Sequence, residues 1–207
     1  MHRYIITGGP GAGKTSLLTT LQGYGYPCSA EVSRELIMEE LTKGSKCLPW
    51  LDLNCFAEKA LERMIHAWLM AANMTMKRAY HRGTHPALHP GMMKDLVFFD
   101  RGIPDIIAYL RVAGLPVTEK YIAALRQYPY QTTVFLLPPW RAIYVQDSAR
   151  WQTFEEAEAI SRSIEETYRS AGYHIIVLPE DTMEQRAQLI QGYISGILAK
   201  TGIMTRT

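Results

Sequence analysis

The sequence predicts a three-layer α/β fold, a five-stranded parallel sheet covered by helices on both faces. Three observations carry the prediction. Short segments with strand character, at residues 2–7, 28–30, 96–100, 132–137 and 174–178, alternate with longer stretches of helical periodicity. Between the first strand and the first helix lies Gly8-Gly9-Pro10-Gly11-Ala12-Gly13-Lys14-Thr15, which fits the G-x-x-x-x-G-K-[ST] pattern of a phosphate-binding loop. Finally, Gly8, Glu31 and Asp100 fall at the carboxyl ends of predicted strands, where a parallel sheet collects its ligands.

Taken in order, residues 2–7 give the first strand and 14–22 the first helix, stopped by Gly23. After Tyr24-Gly25-Tyr26-Pro27, residues 28–30 form a short second strand, and 32–43 a helix ended by Gly44. One long helical pattern runs from about residue 52 to about 82, with Phe56, Ala60, Met64, Ala67, Ala71 and Met74 in a stripe that reads as core. A Gly/Pro/His-rich loop follows, and then Leu96-Val97-Phe98-Phe99-Asp100, an apolar strand ending in a carboxylate. This is a Walker B pattern.

Pro104 stands where a first helical turn begins, so 103–113 reads as a helix closed by Gly114, and Thr118 caps another that ends near residue 127. A fourth strand, 132–137, leads through Pro138-Pro139 into a polar segment that contains arginines. Capping boxes at Thr153-Phe154-Glu155-Glu156 and Thr182-Met183-Glu184-Gln185 open the last two helices, on either side of the fifth strand at 174–178. Met183, Ala187, Ile190, Ile194 and Leu198 supply the final apolar face.

The chemistry follows from residue types at these places. Glycines let backbone N–H groups converge on a phosphate that a Cβ would obstruct, and the helix N-terminus adds its dipole. Gly8, Gly9, Pro10, Gly11, Ala12, Gly13, Lys14, Thr15 and Ser16 are therefore the expected ATP contacts, with Lys14 reaching the β- and γ-phosphates. Thr15 and Asp100 are the expected Mg²⁺ ligands; an aspartate that merely caps the next helix is the bland alternative for Asp100. Glu31 and Arg34 are an acid and a base three residues apart, on one helix face beside an acceptor or else paired at the surface.

Arg141 and Arg150 follow the fourth strand, where arginines can close over a phosphoryl group and exclude water, and Arg150 is assigned to catalysis. His81, His85 and His89 recur at every fourth position, but Gly83, Pro86 and Pro90 break the helix that a zinc face would need. A loop over the acceptor site is expected there, and Lys77, Arg78 and Arg82 read as a solvated helix face.

The motifs at Gly8 to Thr15, Glu31-Val32-Ser33-Arg34, Phe99-Asp100-Arg101-Gly102 with Asp105 after it, and Tyr144 to Arg150 resemble the nucleoside-kinase branch of P-loop enzymes. They are similar above all to the ribosylnicotinamide kinase domain and to small predicted ATPases of the AAA type. The resemblance implies a sheet of nucleoside/nucleotide-kinase type, in which residues 45–95 are a helical acceptor-site insertion and about 139–155 a lid. It also implies Glu31 as the base for an acceptor hydroxyl, with Asp100-Arg101 as the acid-arginine pair after the third strand. Glu31, Arg34 and Asp105 are then the acceptor contacts, and Lys14, Glu31, Asp100, Arg101 and Arg150 the catalytic set. Asp-Arg-Gly replaces the Glu-Arg-Ser of deoxynucleoside kinases, and no residue set reads a nucleobase.

The expectation is a single-domain, ATP- and Mg²⁺-dependent kinase of a small hydroxylated acceptor, a nucleoside-like one included. A nucleotide-hydrolysing switch that acts on a protein partner is the rival, and a regulatory ATP-binding module without turnover the third reading. A net charge of +2, with the basic residues dispersed, argues against nucleic-acid and membrane partners and leaves room for a homodimer. Cys28, Cys47 and Cys55 form no Cys-x-x-Cys pair and are odd in number, which argues against a disulfide framework and for a reducing cytoplasm. The N-terminus opens directly into a strand, and no apolar run approaches a membrane-spanning length.

Overall fold

The computed structural model describes residues 1–78, 96–144 and 152–200, apart from the side chains of 74–78 and 197–200. Strand β1 (His2–Gly8) runs into helix α1 (Lys14–Gly23), followed by α2 (Val32–Thr42) and α3 (Leu53–Arg78). Next come β2 (Leu96–Asp100), α4 (Ile103–Val112), α5 (Glu119–Gln127) and β3 (Thr133–Leu137). The chain ends with α6 (Phe154–Ser170), β4 (His174–Val177) and α7 (Met183–Lys200).

Among the described residues the sheet is parallel with order β2-β1-β3-β4. Period-2 alternation sends its side chains into two cores. Ile5, Val97, Phe99, Val134 and Leu136 pack under α3, α4 and α6, while Tyr4, Ile6, Phe98, Phe135 and Leu137 pack under α1 and α7. Each fully buried Leu or Ile contributes about 1.5–3 kcal/mol. The two apolar faces hold the strand ends in one plane, and the register Ile6↔Asp100 sets the Walker B carboxylate beside the last turn of β1.

Three expectations need correction. The expected second strand at 28–30 is reduced to one bridge, Cys28↔Phe98. Its ladder stops because the next amide of β2, Asp100 N–H, donates to the Ser29 side chain at 3.0 Å, and Glu31 immediately becomes the N-cap of α2. The box at Thr182 is half built: Gln185 N–H donates to the Thr182 hydroxyl, while Thr182 N–H turns to Asp181. By contrast the box at Thr153 and Glu156 is complete.

The third correction concerns the cysteines, because Cys47 and Cys55 form a disulfide that leaves out the buried Cys28. The turn between α2 and α3 brings their Cα atoms to 5.3 Å, a proximity that a separation of eight residues does not announce. The same junction is tied by Lys59 to buried Glu40 at 2.7 Å and by Arg63 to Glu39 at 2.6 Å. No described helix is long and apolar enough to cross a membrane.

Candidate active site

The loop after β1 is shaped by backbone demands that only glycine meets. At Gly8 (φ 148°) a Cβ would lie 2.2 Å from the Leu137 carbonyl oxygen, and at Gly13 a left-handed φ of 86° caps α1. Lys14 is buried and folds back into the loop, donating to the carbonyls of Gly8 at 3.0 Å and Gly9 at 2.9 Å. Burial lowers its ammonium to about 8, with Arg101 adding to the effect and Asp100, Glu31 and Asp105 opposing it. An incoming phosphate would restore the charge that burial disfavours.

Asp100 is also buried, and burial raises its carboxyl to about 6 against the pull of Lys14. Its Oδ1 has no hydrogen-bond partner among the described residues. A buried, unsatisfied carboxylate oxygen next to a phosphate loop suits a hard cation. Thr15, in the first turn of α1, donates to Glu31 Oε2 at 3.3 Å, which in turn pairs with Arg34 Nε at 3.5 Å. The donor set therefore fits Mg²⁺, which takes few protein ligands and completes its shell with phosphate and water.

Arg101 holds a positive φ of 68° and is buried, with its guanidinium donating to Asp105 Oδ1 at 3.0 Å and lying 5.5 Å from the Tyr109 ring centre. Burial opposes the charge on Arg101, but Tyr109, Asp105, Asp100 and Glu31 outweigh it and raise its pKa. A non-glycine residue in this conformation stores strain that the surrounding bonds must offset. Asp105 supplies those bonds. Its two oxygens accept from Thr7, Arg101, Gly102 N–H and Tyr168, so both are occupied by protein donors.

One cavity of about 350 Å³ joins these parts. It is lined at one end by the residues from Pro10 to Ser16 and continues past Glu31, Arg34 and Arg101 between α2, α3 and α4. Of the expected residues, Lys14, Thr15, Glu31, Arg34, Arg101 and Asp105 line this cavity and Asp100 does not, whereas Arg150 and His81, His85 and His89 lie outside the described residues. Arg141 is exposed and pairs with Glu155 at 3.2 Å.

A family model described as an AAA domain matches residues 3–186. The chain belongs to that AAA domain family. No curated protein matches it. Among solved structures this AAA domain is similar to deoxyadenosine kinase from M. mycoides, solved with dCMP and a flexible dCDP bound, at 15% identity and a TM-score of 0.55, covering 94% of this chain and 99% of that one. It is also similar to thymidylate kinase from Ehrlichia chaffeensis, at 16% identity and a TM-score of 0.50, covering 94% and 98%. The likeness establishes the α/β P-loop fold of nucleoside and nucleotide kinases.

Two parts of the AAA domain's site were missed in the sequence. Arg186 on α7 is wholly buried, donates to the carbonyls of Pro179 at 2.7 Å and Ala12 at 3.3 Å, and lies 5.0 Å from the Trp140 ring centre. It fixes the phosphate loop from behind. Its signal was available, since it is a charge on the apolar stripe of Met183, Ala187 and Ile190. The other part is the wall of Phe56, Ala60 and Met64, whose spacing is equally that of an ordinary core helix.

Proposed function

We propose that the protein is an ATP- and Mg²⁺-dependent phosphotransferase that acts on a small hydroxylated acceptor. In this reading the chain is one domain in which residues 45–95 build the acceptor side and about 139–155 the lid. The observation that carries it is the continuity of the cavity from the phosphate loop, past Glu31, into a chamber between α2, α3 and α4. A hydrolase has no need of such a chamber. A kinase needs one that sets a hydroxyl within reach of the γ-phosphate and away from water.

The residues then divide the work. Backbone N–H groups from Gly8 to Ser16 receive the phosphates, and Lys14 exchanges its two carbonyl partners for phosphate oxygens. Thr15 and Asp100 would hold Mg²⁺, which would supply positive charge to the bound phosphates. Arg101 offers a fixed cation, and Asp105, its oxygens already engaged, serves the acceptor by positioning Arg101. Arg34 orients Glu31, which takes the acceptor's proton as its oxygen attacks the γ-phosphorus. Arg150 closes over the transferred group. The supply of ATP points to a cytoplasmic setting, where the Cys47–Cys55 pair would exchange with a reducing thiol pool.

The hydrogen bond from Thr15 to Glu31 favours a second reading, a switch ATPase in which Glu31 belongs to the nucleotide machinery. A screen of nucleosides, nucleotides, sugars and hydrocarbon alcohols for ATP-dependent phosphorylation, with hydrolysis measured alongside, separates the two. The kinase reading expects ADP formation to rise with one acceptor class and a phosphorylated product to appear. ADP formation indifferent to every acceptor would overturn it.

A further inference from the structure

The acceptor end of the cavity differs in chemistry from its phosphate end. Its far wall is made by Ile37 of α2, Phe56, Ala60 and Met64 of α3, and Ile106 and Tyr109 of α4. Five of these six side chains carry no hydrogen-bonding group. The sixth, Tyr109, carries a hydroxyl, and its ring centre lies 5.5 Å from the Arg101 guanidinium. The charged lining residues among those described are Lys14, Glu31, Arg34, Arg101 and Asp105, the last with both oxygens engaged by protein donors.

We propose that the acceptor is a primary alcohol carried on a hydrocarbon body, alkyl or aryl, whose hydroxyl lies at Glu31 and whose body fills the chamber. The inference rests on the kinase reading for its chemistry and on the chamber walls for its specificity. In the transfer, the acceptor oxygen forms a bond to the γ-phosphorus and the bond from that phosphorus to the β–γ bridging oxygen breaks. ADP leaves, and the hydroxyl proton passes to Glu31. A nucleobase in this chamber would find the Tyr109 hydroxyl as the one polar group on the far wall described, and each pairing-edge group left without a partner costs on the order of tenfold or more. An apolar body loses nothing there and gains the burial of its own surface.

The test uses the full chain, with 2-phenylethanol and thymidine as acceptors and a non-hydrolysable ATP analogue as the nucleotide probe. The expected result is phosphorylation of 2-phenylethanol with a kcat/KM on the order of 100-fold above that of thymidine. Binding of 2-phenylethanol without nucleotide, followed by ligand-observed NMR, should be abolished by Ala60→Phe, which fills the chamber. Met64→Gln, similar in size but carrying an amide, should weaken it about tenfold. Circular dichroism and binding of the ATP analogue verify that each variant is folded, and Met64→Gln keeps the test decisive if Ala60→Phe does not fold. Thymidine used as well as or better than 2-phenylethanol would overturn the proposal and leave the kinase reading standing. So would 2-phenylethanol binding that neither variant alters. If the alcohol binds as described but the wild-type chain fails to bind the ATP analogue, the apolar chamber stands and the kinase reading falls.

Discussion

The two ends of the cavity are built in opposite ways. The phosphate end is made of backbone: its shape depends on Gly8 and Gly13 adopting conformations that side chains resist, and Arg186 braces it through a main-chain carbonyl. Its polar groups suit charged ligands, with Lys14 turned onto two carbonyls and Asp100 Oδ1 without a partner among the described residues. The acceptor end is made of side chains from α2, α3 and α4, most of them apolar. The lesson is that one end recognises an invariant group, phosphate, through geometry fixed by the main chain. The other is free to change its ligand through single side-chain substitutions.

The sharpest way to break that contrast is to remove the cation at the phosphate end. Lys14→Ala should weaken ATP binding and lower turnover on the order of 100- to 1,000-fold or more, while leaving 2-phenylethanol binding within a few-fold of wild type. Calorimetry with ATP and NMR with the alcohol, on one preparation, read both ends together. Equal loss at both ends would mean that the cavity is one cooperative unit.

A smaller effect is expected where the two ends meet. Asp105→Asn keeps the shape, but it strips the buried Arg101 of its counter-charge and turns an NH₂ toward groups that donate. Breaking such a buried pair costs about 3 kcal/mol, to be read from the midpoint of denaturant unfolding. An unchanged midpoint would show that Arg101 finds another partner, and the positioning role would be lost.

The smallest effect falls at the acceptor end. Cys47→Ser opens the short disulfide loop that contains Pro49 and Leu53, both in the cavity wall. Chain entropy predicts a loss of about 2–3 kcal/mol, together with weaker alcohol binding and unaltered ATP affinity. A change in ATP affinity instead would couple the disulfide to the wrong end.

How much of this was legible in the sequence follows the same division. The phosphate loop could be read because strained backbone leaves glycines as its mark, and Asp100 because an apolar run ends on a charge. The acceptor wall could not, since Phe56, Ala60 and Met64 have the same spacing whether they meet a neighbour or a void. The second strand was over-read because the Ser29 side chain, which no periodicity describes, takes the amide that would have extended it. The Cys47–Cys55 pair was missed because its proximity is created by the turn joining α2 to α3 and not by a motif. Arg186 was overlooked although a lone charge on an apolar helix face is a usable signal.

The central claim is that the carboxylate between the two ends works on the acceptor and does not grip ATP. Glu31→Gln tests it most directly, with phosphoryl transfer and background hydrolysis measured on one preparation and ATP affinity checked by calorimetry. The account predicts a loss of transfer on the order of 100- to 10,000-fold, with hydrolysis largely retained and ATP affinity within a few-fold of wild type. Equal losses of transfer and hydrolysis would contradict it and place Glu31, through its hydrogen bond with Thr15, in the nucleotide machinery of a switch ATPase.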